Sequence, residues 1–255
     1  MAEASETLQK ALELDPDHEL TQMALGTLYL YKDWDWTNAR RALDRAIERN
    51  PGMGWAHTIY AELLSFQGRW EEAIAHAVRL HELDPLATSP GFIDLGRMYE
   101  LNGDDEQAVA TWMRKLELAP NYYDPHRHLG NYYCRVGRTE EAFAELQRAT
   151  HLSVDDPFVA ADLGYCYATS GRPEDARGIL AELDELAAEA YVSPMSRALI
   201  LTGLGAHDEA FRWLEKAYEL RALLLLTINV DPRYDPLRSD PRFDDLVRRV
   251  GFPEA

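Results

Sequence analysis

Glycines at positions 68, 103, 137, 171 and 205 fall 35, 34, 34 and 34 residues apart. Alanines keep the same interval at Ala39, Ala73, Ala108, Ala142, Ala176 and Ala210. So do Pro16, Pro51, Pro85 and Pro120, and a Leu-Gly-x-x-Tyr phrase beginning at Leu25, Leu95, Leu129 and Leu163. Four independent patterns with one period restrict the chain to stacked, near-identical modules. One module cannot bury its own apolar faces, so each neighbour must cover them.

The residues of one interval define the module. From Leu129 to Val136 apolar side chains recur at helical spacing, and Gly137 sits where a helix would end in the left-handed region. Thr139, Glu140 and Glu141 then open a second helix, with acidic side chains near the positive end of its dipole. Ala142, Leu146 and Ala149 form its apolar face. A Pro, as in LELDP and LELAP, closes the second helix elsewhere in the chain. Gly130 and Ala142 are small enough for close approach of the two helices. Each interval is therefore expected to be an antiparallel helix hairpin with a tight glycine turn.

This length and order of Leu-Gly, Tyr, Gly, Ala and Pro resembles the tetratricopeptide repeat (TPR). The resemblance implies an all-α, right-handed superhelical solenoid of antiparallel hairpins with a short C-terminal capping helix. Its array spans residues 1–222: a partial opening unit at about 2–15, then six units at about 19–53, 54–88, 89–122, 123–156, 157–190 and 191–222. Residues 223–255 form the cap segment. The first full unit carries Asp33-Trp34-Asp35-Trp36 in place of the glycine turn and is one residue longer. Trp34 and Trp36 are expected to plug the space under that turn; the alternative is a platform for a ligand or a neighbouring domain.

The ends differ in character. Leu8, Ala11 and Leu12 form an apolar stripe without a preceding partner helix, consistent with a longer parent chain, with packing on a second copy or with a short natural cap. At the other end, Asp240-Pro241 reads as an N-cap followed by proline in the first turn. Phe243, Leu246, Val247 and Val250 give the following helix one apolar face. The Trp34-Asp35-Trp36 stretch together with Asp231 to Phe243 resembles the C-terminal TPR arrays of bacterial signalling and transcription-regulator proteins. That resemblance implies a regulatory or sensor module whose N-terminal effector domain (a winged-helix regulator, kinase or cyclase) is missing here. The excess of Arg over Lys, 22 to 4 of the 26 basic residues, fits a GC-rich bacterial genome.

The formal net charge of −18 argues against nucleic acid, whose affinity rests on many Lys and Arg contacts to phosphate, and against an anionic membrane. The N-terminus lacks an apolar signal core, and no apolar run approaches the ~18 residues of a membrane span. A cytoplasmic protein is expected. Cys134 and Cys166 occupy non-equivalent positions in adjacent units, so no bridge between them is expected. His126 and His128, two apart on a helix, diverge too far to ligate one metal. None of the common nucleotide-binding, zinc-protease or serine-hydrolase motifs occurs. No enzyme activity, metal or cofactor is expected.

Function should then reside in the surface lined by the first helices. Helical spacing places Arg127, Asn131 and Arg135 in one stripe there, with Arg97 and Tyr165 in the flanking units. Tyr31, Trp55 and Phe66 are placed at the N-terminal end of the same surface. Some TPR domains hold the C-terminal carboxylate of a chaperone tail with Lys, Asn and Arg from successive first helices. Arg127, Asn131 and Arg135 resemble part of such a clamp, which implies a protein or peptide partner; the alternative is pairing of these arginines with acids of the same chain. A self-assembling oligomer through the N-terminal stripe is a further reading.

Overall fold

The computed structural model describes residues 2–83, 93–154 and 156–253, with side chains from residue 8 onward; Pro85 of the proline series lies outside the described residues. The protein is all-α, and the described residues contain no strand. It forms two compact units, residues 1–104 together with 250–255, and residues 105–249. No helix among the described residues is long and apolar enough to cross a membrane.

The first unit comprises α1 (Ala2–Leu14), α2 (Glu19–Leu28), α3 (Trp36–Arg49), α4 (Gly54–Phe66), α5 (Trp70–Leu83) and α6 (Leu95–Leu101). Helices α2 with α3 and α4 with α5 form hairpins, and α4 packs on both α3 and α2. The second unit comprises α7 (Asp105–Leu118), α8 (Tyr123–Arg135), α9 (Thr139–Ser153), α10 (Pro157–Thr169), α11 (Pro173–Leu186), α12 (Pro194–Gly203) and α13 (His207–Glu219). It ends with short 3-10 turns at Leu223–Thr227 and Pro232–Leu237, then α14 (Pro241–Val250). Its hairpins are α8/α9, α10/α11 and α12/α13, and α10 contacts α8, α9 and α12.

The period in the sequence has a direct physical cause. Gly68, Gly103, Gly137, Gly171 and Gly205 all have φ between 71° and 85°, where a Cβ would be strained. The residue after each glycine donates its N–H to the carbonyl five residues back, as Arg138 does to Tyr133 at 2.8 Å. This closes the first helix with a Schellman turn and sets the direction of the second. The six periodic alanines have no exposed surface and lie on the second helices. Close approach follows: a Cβ on Gly130 would lie 2.6 Å from Leu146 Cγ, and one on Gly26 would lie 2.6 Å from Leu43 Cγ.

The first full repeat solves its extra residue locally. Tyr29–Asp33 is a π-helical turn, the usual way to take one surplus residue into a helix. Trp34 occupies the left-handed position that glycine holds elsewhere, with φ 57°. Asp35 N–H then bonds the Tyr29 carbonyl at 2.8 Å, six residues back instead of five. Trp34 and Trp36 are both buried, and Trp36 packs edge-on against Phe66 with ring centroids 6.4 Å apart. Phe252, also in the first unit, lies 5.1 Å from the Trp36 ring. The tryptophans therefore serve the turn itself.

Candidate functional site

In the second unit the first helices of successive hairpins, α8, α10 and α12, pack side by side, and the segment Asp231-Pro232-Arg233-Tyr234-Asp235-Pro236-Leu237 packs on α12 and reaches α10 through Arg233. Asp231 caps the 3-10 turn by accepting from Arg233 N–H at 3.0 Å, and Pro232 supplies a fixed φ at the first position. The turn packs on α12 with Tyr234 and Leu237 buried. Arg233 reaches both ways. It pairs with Asp231 at 2.6 Å and with Asp162 of α10 at 2.6 Å.

Asp162 is the centre of the arrangement. Its Oδ1 takes Arg233, while Oδ2 accepts from Arg127 Nη1 at 3.0 Å and Asn131 Nδ2 at 2.7 Å. Arg127 also donates to Asp124 at 2.9 Å. Burial alone would raise the Asp162 carboxyl, but the Arg233 and Arg127 guanidiniums outweigh it and hold the group below its ordinary value. Burial also pushes the neighbouring Tyr165 hydroxyl up to about 12. Arg127 and Asn131 thus grip a carboxylate, and that carboxylate belongs to the chain.

The same local grammar recurs nine residues later. Asp240 accepts from Arg242 N–H at 2.9 Å, Pro241 opens α14, and Arg242 pairs back to Asp240 at 2.7 Å. Arg242 also reaches Asp208 of α13 at 2.9 Å and lies over the Phe211 ring. Each Asp-Pro-Arg triplet is therefore a cap whose arginine ties it to a repeat. Phe243, Leu246 and Val250 of α14 are buried, whereas Val247 is only half-buried.

The other residues of the expected surface divide. Arg135 is exposed, pairs with Asp105 at 2.6 Å and lies over Tyr132. Arg97 pairs at 2.5 Å with Glu100, whose side chain is buried. Tyr31 donates to buried Glu62, which also accepts from Ile93 N–H at 3.4 Å. Phe66 has no exposed surface, because it packs under Trp36, so it offers nothing to a partner. Trp55, in the first turn of α4, is 59% exposed.

His126 and His128 face different helices: His126 bonds Glu145 of α9 at 2.6 Å, and His128 stacks on Trp112 of α7. Asp162 is absent from the residues expected on sequence grounds. Its signal is an acid immediately before Leu-Gly, as also at Asp94, on a helix face where an apolar residue would be ordinary. Cys134 and Cys166 are both free thiols, the first half-buried beside Thr169 and the second buried beside Ser170.

Residues 24–87 match a family model described as tetratricopeptide repeat. The chain is 26% identical over 222 residues to the Arabidopsis thaliana protein CTR9 homolog, covering 82% of this chain and 20% of that protein. It is 22% identical over 170 residues to anaphase-promoting complex subunit 3 of Schizosaccharomyces pombe, covering 67% of this chain and 25% of that one. The chain thus spans a quarter or less of the curated relatives it matches. Among solved structures it resembles the Cut9-Hcn1 hetero-tetramer of the anaphase-promoting complex, with TM-score 0.65, 17% identity, and 98% and 46% of the two chains covered. It also resembles PilW, a type IV pilus biogenesis factor, with TM-score 0.58, 20% identity, and 74% and 87% covered. A third likeness is a thermophilic TPR protein of Thermus thermophilus, with TM-score 0.53, 20% identity, and 90% and 99% covered. At these identities the structural likenesses speak for the fold.

Proposed function

We propose that this chain of helix hairpins, whose residues 24–87 match a tetratricopeptide repeat model, is a non-catalytic, cytoplasmic scaffold that holds a protein or peptide segment on the first helices of its hairpins. One observation carries this reading. The heptapeptide 231–237 already packs on α12, with two apolar side chains buried and its arginine fixed by a carboxylate of α10. That is recognition by the chemistry open to any polypeptide: buried apolar side chains and a charge-assisted pair. In the first unit, Trp55 on α4, the first helix of its hairpin, supplies the kind of exposed aromatic anchor that dominates interface energies.

Selection from a displayed peptide library on the purified protein, followed by calorimetric titration of the selected peptides, tests the proposal. Peptides with micromolar Kd are expected, weakened at least about tenfold by Trp55→Ala, as for a central aromatic contact. Failure to select any binder, or equal affinity for the variant, would overturn it.

A further inference from the structure

A cleft of about 320 Å³ opens in the first unit, beside the π-helical turn of the first full repeat. That volume falls within the roughly 300–1,000 Å³ of small-molecule sites. Its walls come from the start of α3, from the turn between α4 and α5, and from Pro253. It lies at the other end of α4 from Trp55 and shares no residue with the surface proposed for peptides.

Arg40, Arg41 and Arg69 line the cleft, and no carboxylate does so among the described residues, although the chain carries 44 acidic residues to 26 basic ones. The three guanidiniums differ. Arg69 is forked onto the exposed Glu72 at 2.7 and 2.6 Å, so its charge is largely met. Arg40 gives one N–H to the neutral side chain of Gln67 at 3.0 Å and keeps its charge. Arg41 is exposed and makes no hydrogen bond or ion pair with any described residue. Asp35 attracts Arg41 without pairing with it, being bonded by Asn38, and Asp44, one turn on from Arg40, is bonded by the Tyr60 hydroxyl at 2.7 Å. Between the charged heads the walls are apolar, formed by Trp36, Pro253 and the aliphatic stems of the arginines.

Two uncompensated guanidiniums match two negative charges. A phosphate monoester carries about −1.5 to −2 near neutral pH, whereas a carboxylate or a sulfate monoester carries a single charge. Its oxygens also fit the planar fork of arginine. A bare ion would leave the apolar walls without a partner. We propose that this cleft binds a small soluble phosphate monoester, with the guanidiniums of Arg40 and Arg41 on the phosphoryl group and the organic body against Trp36 and Pro253. The exposed Thr37 hydroxyl on the same wall offers a further donor to the phosphoryl oxygens.

Calorimetric titration of phenyl phosphate, phenyl sulfate and inorganic phosphate into the full chain tests this, at low salt and about pH 7.5 so that the phosphates are dianionic. Phenyl phosphate is expected to bind with Kd below about 1 mM, at least about tenfold tighter than either of the others. Arg41→Gln is expected to weaken it at least about tenfold, the loss that follows when a charge-assisted bond to a ligand goes. Glu72→Gln, at an exposed site, releases Arg69 and should tighten it about threefold or more, a gain that a misfolded variant could not produce. Equal affinity for inorganic phosphate would mean an adventitious ion only and would overturn the proposal. Equal affinity for phenyl sulfate, no binding of phenyl phosphate at millimolar concentration, or unchanged affinity in either variant would overturn it as well.

Discussion

Two glycines seven residues apart do different work, and substitution separates them. Gly130→Ala places a methyl against Leu146 Cγ and within 3.1 Å of Leu146 N, so α8 and α9 must separate. Overpacking of that kind costs about 1–3 kcal/mol. Gly137→Ala meets nothing within 4 Å but must hold φ near 78°, at a cost of about 1 kcal/mol. Trp34→Gly relieves a similar backbone cost yet removes a buried aromatic, for a net loss of about 2–4 kcal/mol. Urea unfolding of the three variants should give this order, with Gly137→Ala mildest. The histidine pair gives a pH signature. His57 Nε2 faces the Pro51 carbonyl, so it must carry the proton, and its Nδ1 accepts from His76 Nδ1 at 2.9 Å. Burial and the neighbouring His57 draw His76 down to about 4, and burial also lowers His57. Both rings are neutral in the folded protein near neutral pH. Their contribution is complete above about pH 6.5 and is lost as pH falls toward about 4, because the unfolded chain binds the protons first. With the His76 ring only partly buried, the effect is about 1–2 kcal/mol. Urea midpoints of wild type and His76→Gln should diverge over that window.

At the scale of the element, the C-terminal segment is held by two arginines in unlike surroundings. Arg233→Ala strips one partner from the buried Asp162 carboxylate and should cost about 3 kcal/mol. Arg242→Ala breaks solvent-screened pairs and one ring contact, and should destabilise far less. Limited proteolysis near residues 229–240 should accelerate in the first variant and scarcely change in the second. Because the Asp162 carboxyl is held below its ordinary value, its pairing stabilises the protein above about pH 4 and is lost as pH falls through the folded value. The hairpins are legible in the sequence because each boundary is a local event: a glycine that must turn left, an acid at a helix start, a small residue where helices touch. Helical spacing also puts Arg127 and Asn131 on one stripe of α8. It cannot show that Asp162, 35 residues on, and Arg233, 71 residues beyond that, complete the cluster, since no local rule links them. Phe66 belongs to the core and not, as its spacing suggests, to the open surface, because its burial depends on Trp36, which the unusual turn swings over it.

For the molecule as a whole, a formal charge of −18 means that carboxylates crowd the folded state more than the expanded one. Added salt screens that repulsion faster than it weakens the buried pairs. Raising sodium chloride from about 0.01 to 0.5 M should therefore raise Tm by about 2–5 °C in a thermal melt. The charge and the repeat are both plain from the sequence, whereas the packing of the chain's own 231–237 segment on α12 and against Asp162 of α10 is not. The reason is that Tyr234 and Leu237 look like ordinary cap residues until α12 is seen beneath them. That packing changes the terms on which a visiting polypeptide could settle against α10 and α12. It would compete with a tethered heptapeptide whose effective concentration is on the order of millimolar or higher. The visitor's apparent affinity would scale with the fraction of time the resident is away, so loosening Arg233 should act as a gain control on that face.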